Sequence, residues 1–157
     1  LEALAAALRA GGVEVELVAD VERAAWEKYL LIEPWGTVSA AARAPMGVVR
    51  ATPETRALLN GVQEELARVG RARGVALAGD VVARTMAFLD GVPFEATASM
   101  QRDLGAGRPS ELADQTGAVI RLAREVGVPV PLHEALYATL LPQEHAARGV
   151  IKKFERT

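Results

Sequence analysis

The sequence predicts an all-α domain, and three observations carry that expectation. Apolar residues recur three and four positions apart in one window after another, the spacing of amphipathic helices. Glycines and prolines punctuate those windows where helices would stop or start. Only residues 13–18 (VEVELV) mostly alternate apolar and charged side chains, as a strand does.

The elements follow in order. Residues 1–10 (LEALAAALRA) are strong helix formers, and Gly11-Gly12 supplies the stop. Residues 13–18 then read as a short strand; since a lone strand has nothing to pair with, its sheet is expected to lie outside this chain. Asp20 is a candidate N-cap for a helix in which Val21, Ala25, Trp26, Tyr29 and Ile32 share a broad face. Pro34 should interrupt that helix, so the small residues 36–45 form either a second short helix or a continuation after a kink. Thr52-Pro53-Glu54 opens the clearest helix, with Leu58, Val62, Leu66 and Val69 at helical spacing up to Gly74. Asp80 can cap another that carries Val82, Met86 and Leu89 and ends near Gly91 and Pro93. A short helix is expected over residues 99–104. Ser110 can cap a long one carrying Leu112, Val119, Leu122 and Val126, which stops at Gly127. After the rigid Pro129 and Pro131 turn, Leu132, Leu136 and Leu140 give one more helix, and the polar tail from Pro142 can form a last one.

Composition excludes several function classes. The chain has 157 residues, 50% hydrophobic and 24% charged, with a formal net charge of -2, the profile of one globular domain. No apolar run approaches the roughly 18 uncharged residues of a membrane span. Fifteen arginines and three lysines are scattered among 20 acids, so there is no basic stripe for nucleic acid; Arg68, Arg71 and Arg73 read as cations at a helix C-terminus. Cysteine is absent, which removes disulfides and thiolate chemistry and fits a cytoplasmic protein. His133 and His145 lack any metal-ligand spacing and read as surface or helix-terminal residues, so no metal is expected. G-x-G-x-x-G, P-loop, H-E-x-x-H and G-x-S-x-G patterns do not occur. The residues by themselves specify a helical domain and no reaction.

Three segments, in order and at characteristic separations, go further: Trp26-Glu27-Lys28, then Ser99-Met100-Gln101-Arg102-Asp103, then Gly107-Arg108-Pro109-Ser110-Glu111. Together with residues 65–75 (ELARVGRARGV) and the Val126-Gly127-Val128-Pro129 turn, they resemble the C-terminal domain of the ketopantoate reductase family over about residues 19–141. The resemblance implies a helical fold like the C-terminal domains of the 6-phosphogluconate dehydrogenase group. It implies that residues 1–18 are the terminal helix and strand of an N-terminal Rossmann domain outside this chain, which opens with Leu1 rather than Met, and that residues 19–157 are the substrate-side helical domain. The activity implied is NADPH-dependent reduction of a 2-keto acid in pantothenate biosynthesis. Without the N-terminal domain, which would bind most of the NADPH, the chain is expected to be inactive. A homo-oligomer, expected as a dimer, is also implied.

Carried over residue by residue, the resemblance makes Lys28 the general acid that protonates the carbonyl oxygen. Ser99 would bind the substrate carboxylate, and Glu111 would contact the cofactor ribose and help to position Lys28. Trp26 and Met100 would pack beneath the motifs. Three asparagines of the family pattern are replaced here by Ile32, Gly36 and Met46, and a later acid and asparagine by Ala113 and Thr116. Losing those amides removes hydrogen bonds to a hydroxylated keto acid, and Ile32 and Met46 would make the pocket more apolar, so a related reductase of a less polar 2-keto acid is expected. The competing class is a non-catalytic helical interaction or dimerisation module that kept the scaffold.

Overall fold

The computed structural model describes residues 1–152, and among them every regular element is a helix. These are α1 (Glu2–Ala10), α2 (Val21–Ala42), α3 (Met46–Ala51), α4 (Pro53–Ala72), α5 (Val81–Gly91), α6 (Ser99–Gly105), α7 (Thr116–Glu125) and α8 (Pro131–Ala147). None is long and apolar enough to cross a membrane. The long α2 is the axis of the bundle, packing on α4, α6 and α8. Leu30, Val38, Leu59, Val62, Leu66 and Val69 are fully buried between these helices. A smaller core of Ala40, Met100, Leu104, Leu112 and Leu140 lies beneath α6. α1 stays outside the main core: Leu1, Leu4 and Leu8 are all exposed.

Four local expectations need correction. Residues 13–18 form no strand; a ladder needs a second strand, and none exists among the described residues. The Val15 carbonyl there is instead taken by the Arg9 guanidinium at 2.6 Å. Pro34 does not end α2, which runs through it, so that of the two alternatives the continuation holds. An interior proline leaves the carbonyl four residues earlier without its helical donor; that carbonyl, Leu30, lies 3.5 Å from the buried Gln63 amide nitrogen on α4. Pro142 is likewise inside α8, so the helix expected from Pro142 onward is part of α8, and residues 153–157 lie outside the described residues. Finally, Ser110 does not cap a helix, because α7 starts only at Thr116. The buried carboxylate of Glu144 on α8 accepts both the Ser110 amide (3.0 Å) and its hydroxyl (2.6 Å), holding residues 110–115 as turns. Of the expected caps, Asp20 accepts from the Arg23 amide at 2.9 Å. Asp80 pairs with Arg84 at 3.3 Å instead, and the Thr52 hydroxyl turns back to the Val48 carbonyl.

The short α3 sets the path of the loop that leads into α6. Its first amides, Met46 and Gly47, donate to the carbonyls of Ala96 and Phe94, each at 2.9 Å. Gly47 is the contact point, since a Cβ there would overlap the Phe94 ring and lie 2.6 Å from its carbonyl oxygen. Alanine for glycine ordinarily stabilises a helix by about 0.5–1 kcal/mol. Here Gly47→Ala is expected to do the reverse, lowering stability by about 1–3 kcal/mol by pushing the loop off α3. Thermal melts of the two proteins give the sign, and a stabilised variant would contradict the contact.

Candidate functional site

Helical periodicity on α2 places Lys28, Ile32 and Gly36 on one face, four residues apart. That face is open. Lys28 and Ile32 are exposed and line a broad depression of about 490 Å³ with Trp26, Tyr29, Asp114 and Leu122. Ile32 also borders a second cavity of about 200 Å³ together with Trp35, Gly36, Ser99, Met100 and Glu111. Ile32 is therefore the shared wall of two adjoining depressions. Ser99 and Glu111 line one of them, Lys28 the other.

Each wall has a local cause. Ser99 is the first residue of α6, brought to α2 by the loop tied to α3. The side-chain amide of Gln101 secures α6 further by donating to the Ala44 carbonyl at 2.9 Å. Gly36 lets α6 come close: a Cβ would sit 3.4 Å from Met100 Cβ. Glu111 lies in the turn between Ser110 and α7, and its carboxylate accepts from the Gln115 amide at 2.6 Å. The Tyr29 phenol donates to the Gln115 carbonyl at 2.7 Å, tying the same turn to α2. Burial and the neighbouring Glu33 raise the Tyr29 pKa well above its ordinary value, so it stays a neutral donor. Among the described residues no carboxylate lies within 4 Å of the Lys28 ammonium; Glu111 does not pair with it directly.

Trp26 meets Tyr29 edge-to-face with ring centroids 5.9 Å apart and lies against Gly70 of α4, while Met100 is buried under Gly36. Both pack as expected, and each also lines one of the depressions, Trp26 the larger and Met100 the smaller. Met46 does not add to the pocket: it is fully buried at the start of α3. The apolar lining comes from Ile32, Trp35 and Met100.

The sequence reading missed a charged network behind this face. His133 is not a surface residue; it is fully buried, with Nδ1 2.7 Å from Glu65 Oε2 and Nε2 3.2 Å from Glu33 Oε2. A neutral imidazole has one N–H, whereas two carboxylates face this ring, so the doubly protonated form donates to both. Burial works against that charge, but the hydrogen bonds that the ring donates to Glu33 and Glu65 outweigh it and push the His133 pKa up to about 9. Burial also opposes ionisation of Glu65. The His133 ring and the amides of Leu132 and His133 overcome it and hold the carboxyl below its usual range, with the carboxylate capping α8. A signal existed: Glu65 falls on the 58, 62, 66, 69 apolar face, and His133 shares a face with Leu136 and Leu140.

The open edge built from α2, α6 and the turn before α7 belongs to a domain in which every regular element among the described residues is a helix. The family model described as ketopantoate reductase PanE/ApbA C terminal matches residues 20–144. The chain belongs to that family. The 2-dehydropantoate 2-reductase of Halobacterium salinarum is 31% identical over 133 residues, 85% of this chain and 44% of that protein. The PanE/ApbA family ketopantoate reductase of Ralstonia eutropha superposes with a TM-score of 0.85 at 31% identity, covering 94% of this chain and 49% of that one. A dimeric ketopantoate reductase from Staphylococcus aureus gives 0.80 at 25% identity, over 86% and 47% of the two chains. This chain spans about half the length of the curated relatives it matches.

Proposed function

We propose that this chain is the substrate-side domain of a nicotinamide-dependent 2-keto acid reductase, completed by an N-terminal dinucleotide-binding domain to which residues 1–18 contribute the last helix and a segment that can pair as a strand only with that domain's sheet. The observation that carries the reading is the shared wall at Ile32, which sets Lys28 beside the cavity of Ser99 and Glu111. The exposed Glu111 carboxylate, already held by Gln115, suits a ribose hydroxyl as donor, and an open edge beside it suits a cofactor supplied from another domain. When bound, the reduced nicotinamide, expected as NADPH, supplies a hydride to the keto carbon.

The chain's own residues do the rest. The Ser99 hydroxyl donates to the substrate carboxylate and orients the keto group. The Lys28 ammonium points a proton at the keto oxygen, stabilises the negative charge that grows there, and transfers the proton to leave a 2-hydroxy acid and a neutral amine. Glu111 holds the ribose so that the face of the keto group is fixed. Water then reprotonates Lys28 from the open side. A cytoplasmic homodimer acting in pantothenate biosynthesis, or a paralogue with a different acid, is the setting this reading supplies.

Ile32, Trp35 and Met100 favour an acid less polar than ketopantoate, because the cavity offers few amides to a hydroxylated tail. The test is turnover of the complete protein with NADPH on ketopantoate and on an unhydroxylated branched 2-keto acid. A higher kcat/KM for the apolar acid is expected, and a clear preference for ketopantoate would overturn the substrate reading. Ile32→Asn should raise kcat/KM on ketopantoate by about tenfold, the worth of one good hydrogen bond. If the complete protein has no activity with any 2-keto acid, a non-catalytic interaction module is the better account.

A further inference from the structure

The face of α2 opposite Lys28 carries a second, buried set of polar groups. Glu33, Thr37, Thr116 and His133 are all fully buried. The Thr37 hydroxyl donates to Glu33 Oε1 at 2.7 Å, and the other oxygen of Glu33 faces His133 Nε2. Thr37 Oγ1 also lies 2.6 Å from Thr116 Oγ1, the first residue of α7. A hydroxyl has one proton, and that of Thr37 is committed to the carboxylate, so Thr116 donates to Thr37. The direction of every bond in the series therefore follows from the charge on Glu33. Thr116 stands where the family resemblance places an asparagine, and Glu33 and His133 meet across 100 residues of sequence.

The far end of this series is the Glu111 turn. Residues 110–116 are pinned at their start by Ser110 to Glu144 of α8 and at their end by Thr116 to α2. Between the pins lies the exposed Glu111. We propose that Thr37, held by Glu33 and His133, is a positioning residue for the cofactor side of the site, fixing the Glu111 turn against the helix that carries Lys28. This rests on the reductase reading above for its consequence in turnover, though not for the clamp itself. Tyr29 contributes a second tie through the Gln115 carbonyl on the open side, so Thr37 is the buried tie and Tyr29 the half-buried one. Loss of the buried tie leaves the turn held by Tyr29 and by Ser110, and loosens its end at Thr116.

The experiment compares Thr37→Val, which keeps the shape and removes the hydroxyl, with Thr37→Ser, which restores it, in the complete protein. Amide hydrogen exchange of residues 111–117 is read first: exchange about tenfold faster in Thr37→Val and near wild type in Thr37→Ser is expected. KM for NADPH is read second, because it does not depend on the fraction of folded protein. It should rise about tenfold in Thr37→Val with a smaller change in kcat, and return in Thr37→Ser. Equal exchange in all three proteins overturns the proposal. So does faster exchange with an unchanged KM, which would make the tie structural only. A wild-type protein that reduces no 2-keto acid refutes the reductase reading; the clamp is then judged by exchange alone, supported by faster exchange in Thr37→Val and overturned by equal exchange.

Discussion

Lys28→Ala in the complete protein is expected to lower kcat on the preferred 2-keto acid by about 10²–10⁴-fold, the usual worth of a positioned general acid. In the proposed reaction the alkoxide that would form as hydride arrives needs a proton and a cation at one point, and Lys28 is the only lysine on the open face of α2. Lys28 is exposed, so its removal should leave stability within about 0.5 kcal/mol of wild type. Lys28→Arg separates the two duties. A guanidinium keeps the charge but gives up no proton near neutral pH, so Lys28→Arg should recover substrate binding and little of kcat. Steady-state kinetics on the three proteins is the measurement. A Lys28→Ala enzyme with wild-type kcat would remove this residue from the chemistry and return the site to packing alone.

The largest effect on stability is expected at His133. His133→Leu leaves Glu33 and Glu65 buried without their shared cation, a loss of about 3–5 kcal/mol. The rise of the His133 pKa from 6.5 to about 9 points to the same scale, on the order of 3–4 kcal/mol. The pH dependence has a definite sign. A folded-state pKa above the unfolded value gives stability that is complete below about pH 6.5 and is lost as pH rises through about 9. Glu65 acts oppositely: its lowered pKa gives stability present above its ordinary value and lost as pH falls through the folded one. Wild type should therefore be most stable between about pH 4.5 and 6.5, with an alkaline decline centred between 6.5 and 9. Urea melts across that range, on wild type and on His133→Leu, read both effects. An alkaline decline of equal size in the variant would mean that His133 is not its source.

Much of the candidate site was legible because helical periodicity is a local property. Lys28, Ile32 and Gly36 share a face by spacing alone, and the resemblance of residues 99–103 and 107–111 singled out Ser99 and Glu111, which line one cavity with Ile32 and Gly36. Met46 was misplaced for the complementary reason: it follows the end of α2 at Ala42, where periodicity no longer carries from one residue to the next. Pro34 misled because a sequence shows the missing amide and not the Gln63 side chain that meets the stranded carbonyl. Residues 13–18 have the pattern of a strand without a partner to pair with, and pattern cannot supply one.

By itself, then, the sequence determined that the chain is helical, where most of its helices lie, and that Lys28, Ile32 and Gly36 share a face, since each depends on residues within a turn or two of one another. Only the tertiary structure decided which charges meet. Glu65 and His133 fall on the apolar faces of their own helices, which marks them as interior without naming a partner, and their meeting with Glu33 depends on α2, α4 and α8 converging at one depth. Removing a charge from water is costly unless an opposite charge arrives at the same place. That condition is set by packing between segments 68 and 100 residues apart, a distance over which no local pattern speaks.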